Sequence, residues 1–242
     1  MGQAKEKQLK DKEPLLQEVG TGKSKTLYAT NKAYLSQFNE DLATAVVEQS
    51  SFSEVFVTEF KDEHNFKLSL FIYDLMNGLL MHPLISEKLE DTKVLTKALK
   101  ILPIKSVFLF EATEMYVAKY DKVKVGTPLV NNIKSGYAPS TFLKTDLLRE
   151  DKEYSTIDVD TAMALQLLDV NSLEMLKEFS VEFGKMLKPM FKAFSMNLVA
   201  GEIALGIDSG NNMRLADFGV YVKDTKTNDV LDYETICTRL GL

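Results

Sequence analysis

The stretch "VGTGKSKTLYAT", from Val19 to Thr30, sets a glycine beside lysines and hydroxyl groups, the combination with which proteins grip phosphate. Gly22, Lys23 and Ser24 end it in the manner of a Walker A loop. That loop needs a further glycine five residues before Gly22, where this chain has Gln17, and a helix directly after its lysine so that the helix N-terminus faces the phosphates. Here "TLYAT" follows, whose aromatic and β-branched residues favour a strand. Two readings remain: a glycine-bearing hairpin turn, or a loop between two strands that covers a nucleotide with its N–H groups and with Lys23 or Lys25.

Other reactive side chains are scarce. The single cysteine, Cys237, allows no intramolecular disulfide, suits a reducing cytoplasm, and has no nearby histidine to activate it. With only His64 and His82, a His-rich zinc site and a Ser-His-Asp triad are both unsupported. The carboxylates Asp146, Glu150, Asp151, Glu153, Asp158 and Asp160 read as a solvated acidic loop. Lysine and arginine total 29 against 35 acidic residues, a net charge of −6, so no global basic field draws the chain to nucleic acid or to a membrane surface. The charged N-terminus is not a signal peptide, and Lys67, Asp74 and His82 interrupt the apolar run from Phe66 to Leu84, which reads as a buried helix.

These groups must be held by a mixture of strands and helices. Residues 1–14 read as a frayed tail. "KTLYAT" and "EVFVTEF" alternate as strands, with a polar, helix-compatible segment between them. Leu68, Ile72, Leu75 and Leu79 recur at helical spacing until Pro83. Residues 100–120 read as a strand region entered through Pro103, and residues 121–160 as irregular connections. A helix begins near Asn171, with Glu174 as a capping-box partner and a buried face of Leu173, Leu176, Phe183 and Leu187; Pro189 ends or kinks it. A hairpin closes around "DSGNN". The order predicts an α+β fold.

Against this background the chain resembles the SAICAR synthetase family. "GKSKTLYAT" is similar to that family's "GKAK-hydrophobic-Tyr-x-Thr" signature, and "FVTEFKDE" at 56–63 to its "EFKDD" strand. "LEDTKVLTKALKILPIKSV" at 89–107 resembles "LSDTE-x-LVKKLEMIPLEVV", and "FLKTD" at 142–146 resembles "FLKND". "RLADF" at 214–218 stands where the family has "LGDE", and "VLDYETICTRLG" resembles the family's closing segment.

The resemblance implies an antiparallel N-terminal subdomain over 15–105, a larger α+β subdomain over 106–242, and an ATP cleft between them. It implies a cytoplasmic, ATP-dependent carboxylate–amine ligase of purine biosynthesis, joining aspartate to carboxyaminoimidazole ribotide. Its partners would be a small-molecule nucleotide and ribotide, and a homo-oligomer is allowed. Carried over by position, Gly22, Lys23, Lys25 and Lys97 bind nucleotide, Asp91 and Thr92 lie at the substrate, and Asp217 holds Mg²⁺ for ATP. Asp91 and Thr92 read equally well as a turn or helix cap.

Several positions depart from the family pattern. Leu109 replaces a substrate arginine, Glu202 a lysine, Ala204 an acidic metal ligand, and Phe218 the glutamate beside the metal aspartate; Ala98 stands at the second lysine after Lys97. The "TAGDG" and "HDP" segments have no counterpart. Losing one transition-state donor costs roughly 10²–10³ in rate, so the departures leave a second reading open: a catalytically degenerate relative that binds a nucleotide-like ligand or a protein. "LADFG" is also similar to the protein-kinase metal motif, but "FSMNLVAGEIAL" offers neither the His-Arg-Asp nor the catalytic Asn of a kinase.

Overall fold

The computed structural model describes residues 16–21, 24–30, 55–78, 85–118, 123–129, 134–139 and 163–242. Among them are two antiparallel sheets. The first contains β1 (Gln17–Thr21), β2 (Lys25–Ala29), β3 (Val55–Phe60), β4 (Ile85–Glu90) and β5 (Lys93–Lys97) in the order β1-β2-β3-β5-β4. The second contains β6 (Lys100–Leu109), β7 (Lys134–Pro139), β8 (Met196–Ile207) and β9 (Met213–Asp224) in the order β7-β6-β8-β9. Helices α1 (Glu63–Gly78), α2 (Glu114–Val117), α3 (Val170–Ala193) and α4 (Tyr233–Leu240) accompany them.

Helix α3 shows why these residues make this element. Its apolar side chains recur at helical spacing, so Leu173, Leu176, Phe183, Leu187 and Phe191 all fall on one buried face. That face covers one side of the second sheet, where Phe183 meets Phe108 edge-on with ring centres 6.0 Å apart. Gly201 makes the contact possible: a Cβ there would lie 2.3 Å from Phe108 Cζ.

Helix α1 joins the two sheets. Phe66 packs on Phe60 and Val94 of the first sheet, while Leu68, Ile72, Tyr73 and Met76 enter the main core with α3, α4 and the second sheet. The division expected between residues 105 and 106 falls within β6.

The structure departs from the sequence reading in several places. The strand through Pro103 stops at Leu109, and Thr113 then caps the short α2 through its hydroxyl and the Tyr116 N–H. Pro103 sits where the β6–β8 register shifts, a site that tolerates its missing donor. The region expected to be irregular contains β7, paired along β6 from Ile104 to Leu109. Asp169, rather than Asn171, caps α3 by accepting from the Ser172 N–H, and α3 continues through Pro189 to Ala193. Strands β4 and β5 were not anticipated; they are joined at Asp91 and Thr92, where Asp91 has φ 37°. The expected tail, the helix-compatible segment after β2, and Leu79, Pro83 and residues 142–146 lie outside the described residues. Among the described residues no helix is long and apolar enough to cross a membrane.

Candidate functional site

The glycine-lysine segment lies between β1 and β2, which pair antiparallel with Thr21 opposite Thr26. A strand therefore follows the lysines, as the aromatic and β-branched residues of "TLYAT" predict. Gly22 and Lys23 lie outside the described residues. Lys25 opens β2 opposite Phe60 of β3, with its ammonium 4.8 Å from the centre of the Phe60 ring.

From there Lys25 crosses to the second sheet. Its Nζ donates to Oδ1 of Asp217 on β9 at 2.5 Å, across 192 residues of sequence. Lys25 retains 17% of its side-chain exposure and Asp217 retains 41%. Water therefore reaches the carboxylate, and the pair alone contributes little to stability.

Alternation along β9 explains how Asp217 comes to face the first sheet. Phe218 points the other way, into the core, with its ring centre 5.8 Å from Tyr73 and 5.7 Å from Phe183. The Tyr73 hydroxyl donates to the Ala216 carbonyl at 3.4 Å. Tyr73 thus holds β9 on both sides of Asp217, and burial, followed by the Asp217 charge, pushes its phenol pKa well up. Tyr73 was missed as a positioning residue because its only signal was membership of an apolar helix. Phe218, read from the sequence as a lost carboxylate, is a core side chain.

The other predicted residues separate. The Asp91–Thr92 turn lies near Lys25, since the Phe60 N–H, opposite Lys25, donates to the Thr92 carbonyl at 2.9 Å. Lys97 lies at the far end of β5, opposite Val55, and is exposed.

Around Asp217 the sheet face is sparse. Ala204 lies directly opposite it on β8, and Lys105 opposite Ala204 on β6, forming a row across three strands. Glu202 stands opposite Gly219 in the next row and binds Lys105, Oε1 to Nζ, at 3.1 Å. Among the described residues no group of three His, Cys, Asp or Glu side chains could hold a metal ion. A closed protein cage is thus absent there. A single accessible carboxylate nonetheless suits Mg²⁺, which is commonly held by one or two carboxylates together with substrate phosphates and water.

The model of one protein family, "SAICAR synthetase", matches residues 18–225. The chain belongs to the SAICAR synthetase family. It is 26% identical over 233 residues to the phosphoribosylaminoimidazole-succinocarboxamide synthase of Campylobacter fetus subsp. fetus, covering 93% of this chain and 92% of that protein. It is 27% identical over 228 residues to the synthase of Deinococcus deserti, covering 91% and 89%.

Solved SAICAR synthetases share the fold. The Ehrlichia chaffeensis synthase matches with a TM-score of 0.72 at 19% identity, over 93% of this chain and 98% of that one. A SAICAR synthetase in complex with ADP matches at 0.64 and 15% identity, over 76% and 83%. The Saccharomyces cerevisiae enzyme complexed with SAICAR matches at 0.62 and 15%, over 90% and 79%. An α+β SAICAR synthetase fold is therefore established for this chain.

Proposed function

We propose that this chain binds ATP between its two sheets and works as an ATP-dependent carboxylate–amine ligase of purine biosynthesis, joining aspartate to carboxyaminoimidazole ribotide. The observation that carries the reading is the Lys25–Asp217 contact, which brings a cation from the glycine-lysine hairpin to an accessible carboxylate of β9. A phosphate chain arriving there would exchange one partner for another. Lys25, with Lys23, would take phosphate oxygens, and Asp217 would be released to hold Mg²⁺. The ion would supply charge neutralisation of the phosphates. Lys25 would orient the phosphate chain, and the two sheets would exclude water around it. A cytoplasmic location and small-molecule partners go with this reading.

The experiment combines purified protein with ATP, Mg²⁺, aspartate and the ribotide. Succinocarboxamide product whose formation is abolished by Asp217→Ala is the expected result. No product above background rejects the ligase.

A second reading is favoured by one observation: Ala204 and the core-packed Phe218 leave Asp217 without a neighbouring carboxylate at either position. On that reading the chain holds a nucleotide without turning it over. Melting-temperature shifts with ADP and Mg²⁺ that vanish in Lys25→Ala, with no product formed, would establish it, because a ligand bound only by the folded state raises that temperature.

A further inference from the structure

Lys223 lies on the same face of β9 as Asp217, six positions further along, and the scheme above gives it no role. It retains only 9% of its exposure. A lysine so covered is normally paired with an acid. Among the described residues no carboxylate forms an ion pair with it. Its ammonium lies instead 5.9 Å from the centre of the Tyr221 ring, near the outer limit of a cation–π contact.

The acids on neighbouring elements are committed elsewhere. Glu111 accepts from Asn197 Nδ2 at 2.6 Å and also attracts the Lys188 ammonium. Asp224 accepts from Arg239 and from the Lys226 and Thr227 N–H groups. Glu114 acts on the Tyr221 phenol.

What is left beside Lys223 is a set of complementary polar groups. Asn197 stands opposite it on β8, and with Nδ2 spent on Glu111 its Oδ1 remains to accept. Burial first, then the Glu114 charge, push the Tyr221 pKa up, so the phenol keeps its proton and can donate. A cation and an O–H donor suit a phosphate monoester. The Asn197 Oδ1 and the exposed Glu114 carboxylate suit the hydroxyls of a sugar that carries it.

Spacing narrows the ligand further. Lys223 and Asp217 stand roughly 20 Å apart along β9, at about 3.3 Å per residue, and the ammonium leans back over Tyr221. A free amino acid is too short to join these ends. A phosphate chain at Asp217, followed by a ring-bearing sugar phosphate laid over Gly219 and Tyr221, would span them.

We infer that Lys223, aided by Tyr221 and Asn197, holds the phosphate monoester of the second substrate and so selects a phosphorylated acceptor over its unphosphorylated counterpart. This deepens the ligase reading and rests on it for the identity of that substrate.

The test titrates the full chain by calorimetry with ribose 5-phosphate, with L-aspartate, and separately with ADP and Mg²⁺. Parent protein should bind ribose 5-phosphate. Lys223→Met keeps the stem and removes the charge, and should weaken that binding by about 10-fold or more, as for the loss of one charge-assisted hydrogen bond. Lys223→Arg should restore most of it. ADP affinity should stay within about 2-fold in both variants, because the two sites are well separated. In the complete reaction Lys223→Met should raise the KM for the ribotide and leave kcat nearly unchanged, which a merely structural lysine would not do. Should Lys223→Met not fold, Tyr221→Phe carries the test, keeping the ring, losing one donor and weakening ribose 5-phosphate about 3- to 10-fold.

A parent that does not bind ribose 5-phosphate overturns the inference, as does equal affinity in parent and variant. Lys223-dependent binding of aspartate in place of ribose 5-phosphate overturns the phosphate assignment. A parent that fails to bind ADP with Mg²⁺, yet keeps Lys223-dependent binding of ribose 5-phosphate, ends the ligase reading and leaves the phosphate subsite standing.

Discussion

The two faces of the four-stranded sheet are built from alternate residues of the same strands, yet they do opposite work. On one face Phe108, Ile203, Phe218, Val220 and Val222 join α1 and α3 in the core. On the other, Asp217, Glu202 and Lys105 stand among Gly219, Ala200 and Ala204. The first face is dense in aromatic rings and tolerates little change in volume. The second sets its charges beside Gly219 and Ala204, with Val107 and Tyr221 in the neighbouring rows. Because a strand's period of two separates the faces, substitutions on the charged face need not touch the side chains that define the fold.

Core truncation should break this comparison most visibly. Phe183→Ala removes a fully buried ring that touches Phe108 and Phe218, and should cost about 3–5 kcal/mol, read as a lower urea midpoint. Next, Gly201→Ala forces a Cβ to within 2.3 Å of Phe108 Cζ and 2.7 Å of the Gly219 carbonyl oxygen. It should destabilise by about 1–3 kcal/mol, and equal stability of variant and parent in urea would show that the two strands can separate locally.

Acid offers a test away from both faces. Burial raises the Asp208 pKa, but the Asn212 N–H and amide and the Arg214 guanidinium outweigh it and hold the carboxyl at about 2. Asp224 is likewise held at about 2, first by the Thr227 N–H and then by Arg239. An unfolded aspartate titrates near ~3.9. With the folded values below the unfolded one, this stabilisation is complete above about pH 4 and is lost as pH falls toward about 2. The melting temperature should decline over that window, and Asp208→Asn should flatten the decline.

Smaller effects sharpen the contrast. Asp169→Ala removes the carboxylate that accepts from the Ser172 N–H and hydroxyl, and should cost about 1 kcal/mol by thermal melts. Lys25→Ala should change stability least, within about 1 kcal/mol. It should nevertheless abolish the thermal shift given by ADP and Mg²⁺. Large destabilisation with ligand response intact would make the Lys25–Asp217 contact a structural clamp.

Much of the architecture was readable beforehand where pattern and environment agree. Alternation marked β2 and β3, the turn cluster "DSGNN" marked the β8–β9 hairpin, and Leu173, Leu176, Phe183 and Leu187 marked the buried side of α3. Strands β4 and β5 escaped notice because "ISEKLEDTKVLTK" is rich in charges and its turn has neither glycine nor asparagine; Asp91 takes the positive φ instead. The α3 cap was misplaced by two residues because aspartate and asparagine are both good caps, and the choice depends on where the chain enters the helix.

The local sequence settled that a strand follows the lysines, because residue preference decides it, but took Phe218 for a lost carboxylate beside Asp217 where the pleat turns it toward the core. It could not tell which cation Asp217 meets. Lys25 and Asp217 are separated by 192 positions and lie on different sheets; among the described residues α1 packs against Phe60 on one side and holds β9 through Tyr73 on the other. Such a contact depends on how whole elements stack, and no short window of residues contains that information.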